Sequence, residues 1–164
     1  MDRKIILLLM IRNESRIIAR CLTAALEHVD AVAILDTGST DDTVAIARST
    51  LDAMPSKIPY LIKEEPFVNF GKSRTRSFEV AQELCASLEW NGDTTYALAV
   101  DADMVICPSP EFKTYPLTLN GYSLIQANGF IKYYNMRLMK CSYPWKCIGA
   151  THEYWSGDPT DKIP

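Results

Sequence analysis

Ile5-Ile6-Leu7-Leu8-Leu9-Met10-Ile11-Arg12-Asn13-Glu14 is the stretch on which the fold turns. An unbroken apolar run has no polar face to offer water, which marks a strand covered on both sides. It stops abruptly in polar residues, and the same pattern returns twice. Ala31 to Leu35 runs into Asp36-Thr37-Gly38-Ser39-Thr40-Asp41-Asp42, and Tyr96 to Val100 runs into Asp101-Ala102-Asp103. Between these runs the apolar residues change to helical spacing. Ile17, Cys21, Leu22, Ala25, Leu26 and Val29 form one set; Val44, Ala47, Leu51 and Met54 form a second; Phe78, Ala81, Cys85 and Leu88 form a third. Asn13 or Ser15 is available to cap the first helix and Ser39 or Thr40 the second. Pro55 and Pro59 break the chain before a third strand over Tyr60 to Ile62.

This alternation predicts an α/β fold with a mainly parallel sheet flanked by helices. Ligands of such sheets sit outside the carboxyl ends of the strands. The polar clusters at 12–14, 36–42 and 101–103 are therefore expected along one edge. Beyond Cys107 the pattern changes. Pro108, Pro110 and Pro116 punctuate a loop, and Tyr122–Ala127 and Tyr133–Met139 read as strands around Asn128-Gly129. They are expected as a small antiparallel addition near the C-terminus.

With 164 residues, 48% hydrophobic and 23% charged, the chain has the length and composition of one soluble domain. A net charge of -3 speaks against a nucleic-acid binder, which carries a basic face. Met1-Asp2-Arg3-Lys4 followed by the apolar run superficially resembles a signal peptide. The run is short and has no small-residue cleavage site, so a strand is the better reading. No stretch approaches the roughly 20 apolar residues of a membrane span. The five cysteines are odd in number and scattered, which points to free thiols and a cytoplasmic location, the host cytoplasm if the protein is viral.

Asp101-Ala102-Asp103 is the sharpest chemical signal. Two carboxylates one residue apart at a strand end concentrate negative charge that a cation or solvent must relieve, and Mg²⁺ or Mn²⁺ takes such oxygen ligands together with substrate phosphates. A solvated turn is the plainer alternative. Asp36, at the end of the second strand, is suited to accept hydrogen bonds from a base N–H or a ribose hydroxyl. Phe70-Gly71-Lys72-Ser73 suggests a phosphate loop, but position 66 is Pro66 where that fingerprint needs glycine. Lys72, Arg74 and Arg76 nonetheless gather at a helix start, where backbone N–H groups also favour anions. His152-Glu153 stands among Trp145, Tyr154 and Trp155, and a glutamate there can act as a general base. A zinc site from Cys141, Cys147 and His152 matches no standard spacing and lacks a fourth ligand. Tyr133, Tyr134 and Tyr143 are either packing residues or the lining of a sugar site.

Taken in order, these segments resemble the family 2 glycosyltransferases of the GT-A (Rossmann-like) fold. Met10-Ile11-Arg12-Asn13-Glu14 is similar to that family's "M-I-x-N-E", and Leu35 to Thr43 to its "V-D-T-G-S-T-D-x-T". Phe70-Gly71-Lys72-Ser73-Arg74 is similar to "F-x-x-A-R-N", and Val100-Asp101-Ala102-Asp103 to "L-D-A-D". Asn135-Met136-Arg137-Leu138 and Gly149-Ala150-Thr151-His152-Glu153 resemble the "R-L" and "G-x-x-H-E" elements of a bacterial and viral branch.

The resemblance implies a single nucleotide-sugar-binding catalytic domain over residues 1–164, cut short at its C-terminus or part of a longer protein. It implies metal-dependent, inverting, hexosyltransferase-type transfer from a nucleoside-diphosphate sugar, a UDP-sugar first of all, to a glycan, lipid-linked or protein acceptor. Carried over residue by residue, Asp36 binds the base or ribose beside Arg12, Asn13 and Glu14. Asp103 ligates Mn²⁺ or Mg²⁺, with His152 at the metal or a phosphate. Asp101 lies near the ribose or the metal, next to Ala102. Arg74 and Lys72 approach the diphosphate, and Glu153 deprotonates the acceptor hydroxyl. Ser73-Arg74-Thr75-Arg76-Ser77 departs from "A-R-N" and leaves Arg74 and Arg76 as alternative phosphate ligands. The readings that compete are a sugar nucleotidyltransferase, whose glycine- and arginine-rich loop after the first strand is missing here, and a non-catalytic nucleotide-sugar-binding module.

Overall fold

The computed structural model describes residues 3–150 and 153–158. The chain runs β1 (Lys4–Ile11), α1 (Ile18–Ala25), β2 (Ala31–Asp36), α2 (Thr43–Asp52), β3 (Tyr60–Glu64), α3 (Phe70–Ser87) and β4 (Thr95–Val100). A 3-10 turn at Pro110–Lys113 precedes the hairpin β5 (Gly121–Asn128) and β6 (Ile131–Lys140), and two short strands follow, β7 (Lys146–Ile148) and β8 (Tyr154–Ser156).

Six strands form one sheet in the order β3-β2-β1-β4-β6-β5. The first four are parallel, β6 runs antiparallel to β4, and β5 antiparallel to β6. This is the α/β class expected, a mainly parallel sheet with an antiparallel addition. Strands β7 and β8 pair separately; at three residues each they carry no periodicity that could announce them.

The unbroken apolar runs follow from a sheet covered on both faces. Along β1, Ile5, Leu7, Leu9 and Ile11 pack with α1 and α2, while Ile6 and Leu8 pack against α3. Val32, Ile34, Leu98 and Val100 continue the first face; Ala31, Ala33, Ala97 and Ala99 lie on the second, where Phe78, Ala81, Leu84 and Cys85 of α3 meet them. Each fully buried Leu or Ile contributes about 1.5–3 kcal/mol over an exposed one, so neither face can be left open. In register, Ile11 lies opposite Asp36 and Leu9 opposite Val100. Arg12, Thr37 and Asp101 thus emerge at one edge of the sheet, as expected of the three polar clusters.

The helix caps differ from expectation. Helix α1 starts at Ile18 behind Ile17, with no side-chain cap; the Glu14 carbonyl accepts from the Ile17 and Ile18 amides instead. Helix α2 has Asp42 at its N-cap position, again without a side-chain bond. Asn13, Ser39 and Thr40 serve a different purpose, joining two loops. Helix α3 is capped by Asn69, whose Oδ1 accepts from the Lys72 amide at 2.8 Å.

The first turn of α3 also positions the last strands. A Cβ on Gly71 would lie 2.4 Å from the Gly149 carbonyl oxygen and 2.9 Å from that of Cys147, so only glycine admits this approach. The Cys147 amide donates to Thr75 Oγ1 at 2.8 Å, and Phe78 meets Trp155 edge to face at 6.0 Å. Gly71 therefore belongs to packing rather than to a phosphate loop, and it brings β7 and β8 against α3.

Candidate active site

The loops after β1 and β2 are stitched together. The Thr40 amide donates to Asn13 Oδ1 at 2.8 Å, and the Asn13 amide donates to Ser39 Oγ at 2.9 Å. Asn13 takes a left-handed φ of 56° to do so, a conformation that asparagine tolerates better than most residues. The Glu14 amide donates to Thr43 Oγ1 at 2.7 Å. Asp36 is 2% exposed. Its carboxylate accepts the Gly38 amide at 3.1 Å, the Ser39 amide at 2.9 Å and the Ser39 hydroxyl at 2.5 Å. Gly38, at φ 100°, makes this tight turn feasible. Arg12 stands exposed at the same edge.

At the end of β4 the two aspartates part company. Asp101 is held from two sides: Arg74 Nη1 donates to Oδ1 at 3.2 Å and Arg137 Nη2 to Oδ2 at 3.0 Å. Ala102 is buried and Asp103 exposed, and the Asp103 side chain makes no hydrogen bond among the described residues. Arg20 of α1 holds the backbone there, donating to the Asp103 carbonyl at 3.1 Å.

Arg74 also reaches Glu153. Its Nε donates to Glu153 Oε1 at 2.9 Å, which joins the first turns of α3 to the residue before β8. Burial works against the Arg74 charge, but Asp101 and Glu153 outweigh it and hold the guanidinium more firmly protonated than usual. Arg137 Nη2 donates in addition to Gln126 Oε1 at 3.0 Å. Glu153, Arg74, Asp101 and Arg137 thus form a continuous charged chain, and Glu153, Arg74 and Arg137 of it line a recess together with Asn135, Tyr154 and Trp155.

Arg74 and Arg76, the alternative phosphate ligands, take different positions. Arg76 is taken up by Glu65, Glu79 and Glu83, at 2.9, 3.2 and 2.7 Å, and clamps α3 to the end of β3. Only Arg74 of the pair touches Asp101, while the Lys72 side chain is exposed at the helix start. The cluster expected from spacing is therefore divided, because alternate positions on a helix face different ways.

The charge balance at this edge is uneven. Burial, and then the negative charges of Asp103, Asp41 and Asp101, raise the Glu14 carboxyl above its ordinary value. Asp101 is neutralised by two arginines, whereas Asp103 has no cation bonded to it among the described residues. Those residues gather no group of three His, Cys, Asp or Glu side chains able to hold a metal unaided. An exposed carboxylate with an unrelieved negative surround suits a hard divalent ion that takes most of its ligands from water and substrate phosphates. His152, expected at the metal, lies outside the described residues. All five cysteines are free, and Cys141 and Cys147 are buried. Of the tyrosines, Tyr134 is 74% exposed, while Tyr143 packs on Trp145.

The role of Arg137 is what sequence reasoning missed. The residue stood in a family-like motif, but its bond to Asp101 depends on β6 lying beside β4, which local sequence does not encode.

No curated protein matches the chain. Among solved structures, glucosyl-3-phosphoglycerate synthase from Mycobacterium tuberculosis, in complex with Mg²⁺ and uridine diphosphate, is 22% identical with a TM-score of 0.44. That match covers 63% of this chain and 34% of that one. The same enzyme with Mn²⁺, uridine-diphosphate-glucose and phosphoglyceric acid is 24% identical, covering 68% of this chain and 37% of that one at a TM-score of 0.43. A further mycobacterial protein is 24% identical at 0.45, covering 68% and 35%. The chain spans about a third of the length of these proteins. The profile of the glycosyl transferase family 2 matches residues 7–110, more than half of the chain, from within β1 through β4 and both aspartates after it: the protein belongs to the family 2 glycosyltransferases.

Proposed function

We propose that this chain is the donor-binding and catalytic part of an inverting glycosyltransferase that uses a nucleoside-diphosphate sugar, a UDP-sugar first of all. The observation that carries this reading is the ion-paired chain Glu153–Arg74–Asp101–Arg137, set at the carboxyl edge of the parallel sheet beside the exposed Asp103. A diphosphate needs cations that are oriented in advance, and Arg74 supplies a planar fork suited to phosphate oxygens. The loops joined through Asn13, Ser39 and Asp36 form the wall for the nucleoside. Asp36 spends most of its capacity on its own turn, so its role toward the base or ribose is chiefly to shape that wall. In this reading Arg12, Glu14 and Lys72 contribute to the donor site as well.

Asp103 is the residue that would hold Mn²⁺ or Mg²⁺, with His152 as a second candidate. When bound, such an ion offsets the negative charge that develops on the leaving diphosphate. Glu153 is the base: it lies in the recess with Tyr154 and Trp155, which can contact a sugar or other hydroxyl-bearing acceptor. Taking the hydroxyl proton lets that oxygen attack the anomeric carbon from the side opposite the diphosphate, so one displacement inverts the centre and leaves no covalent sugar on the protein.

Calorimetry with a panel of UDP-sugars, with and without Mn²⁺, tests the reading. At least one donor should bind in a Mn²⁺-dependent way, and Asp103→Ala should abolish that dependence. Glu153→Gln should keep donor binding and lose transfer; a variant that still transfers removes Glu153 as the base, and absence of binding by every donor removes the reading itself.

A further inference from the structure

Arg137 is the charged residue of the site that the proposed reaction leaves without a task. It is fixed by two acceptors, one just past the end of β4 and one on β5. Its Nη2 donates to Asp101 Oδ2 at 3.0 Å and to Gln126 Oε1 of β5 at 3.0 Å, while its Nε is buried without a partner among the described residues. A partly buried guanidinium whose buried Nε has no partner is oriented by its other bonds, not by the full use of its own capacity. Those bonds hold Asp101 from the hairpin side. On the opposite side Arg74 divides itself between Asp101 and Glu153. Arg74 thus carries two tasks that exclude one another: it occupies the carboxylate proposed as base, and it is the guanidinium proposed for the diphosphate.

We propose that Arg137 is a positioning residue that keeps Asp101 neutralised and in place while Arg74 is exchanged from Glu153 to the diphosphate of a bound nucleotide. This rests on the nucleotide-binding reading above. Without Arg137, removal of Arg74 would strand Asp101 as an unpaired, partly buried carboxylate, which is costly. With it, the transfer of Arg74 trades one anionic partner for another, and Glu153 becomes free only after the donor has arrived. Asp101 is in this account an orienting group for two arginines. The exchange moves hydrogen bonds and no covalent bond.

The test is calorimetric binding of uridine diphosphate with Mg²⁺, without sugar or acceptor. Because Glu153 competes for Arg74, Glu153→Gln should tighten binding roughly three- to tenfold, the loss of one charged competitor. The gain should vanish in an Arg74→Lys background, and it should shrink when Arg137→Gln makes Asp101 depend on Arg74 alone. If Arg137→Gln fails to fold, Gln126→Ala, which removes the other acceptor of Arg137, should shrink the gain in the same direction. A merely structural Arg137 would shift both affinities equally and leave the gain intact, and that result overturns its role. Unchanged affinity in Glu153→Gln overturns the exchange. No binding by the unaltered protein overturns the nucleotide reading and the proposal with it.

Discussion

Arg74 and Glu153 lie 79 positions apart in sequence and meet at 2.9 Å between Nε and Oε1. The contact exists because α3 and the short β7–β8 sheet pack backbone to backbone at Gly71, and it places a helix-borne cation that touches Asp101 against the proposed base.

Loss of that cation should be felt twice. Arg74→Ala leaves Asp101 and Glu153 without a shared partner, and is expected to cost about 1–3 kcal/mol in stability. Affinity for uridine diphosphate should fall at least about tenfold, roughly 1.4 kcal/mol. Arg74→Lys should recover much of the stability and little of the affinity, because an ammonium lacks the planar fork. Urea unfolding and calorimetry measure the two separately.

Asp103→Ala should separate them the other way. The side chain is exposed and bonded to nothing among the described residues, so unfolding free energy should change by no more than about 0.5 kcal/mol. Mn²⁺-dependent donor binding should disappear. A large loss of stability would show that the carboxylate supports the fold instead.

Gly71→Ala should damage the site without touching it chemically. The added methyl would meet backbone oxygens of Gly149 and Cys147, and these cannot rotate away as a side chain can. A destabilisation of about 1–3 kcal/mol is expected, with weaker transfer through displacement of Glu153. Thermal unfolding beside a transfer assay would reveal it; an alanine variant of unchanged stability would contradict the close packing.

The loop wall should open in acid. The Thr43 hydroxyl, then the bond from Ser15, hold the Asp41 carboxyl down to about 2. A carboxyl depressed in the folded state contributes its stability above its unfolded value, near 3.9, and loses it as pH falls through about 2. Amide exchange at Ser15 and Thr43 should accelerate across that window in the native protein. In Asp41→Asn it should be independent of pH beyond the intrinsic rate.

How much of this was legible beforehand depended on how local its cause was. The runs Ile5–Ile11, Ala31–Leu35 and Tyr96–Val100 announced buried parallel strands because a two-sided sheet demands apolar residues at every position, and the polar clusters beyond them could only fall at the carboxyl edge. Asp36, Asp101 and Asp103 were therefore picked out with no structure at hand. The division between them was not. Asp101 is neutralised by Arg74 and Arg137, and Asp103 has no bonded cation among the described residues, because β6 lies beside β4 and α3 turns only one of its two arginines toward that edge. Gly71 shows the same limit: Pro66 already speaks against a phosphate loop there, but nothing local tells that this glycine admits the backbone of β7. Local periodicity and turn chemistry thus settled the element order and the candidate carboxylates from sequence. The pairing of charges, which depends on contacts between segments dozens of residues apart, was decided by tertiary packing alone.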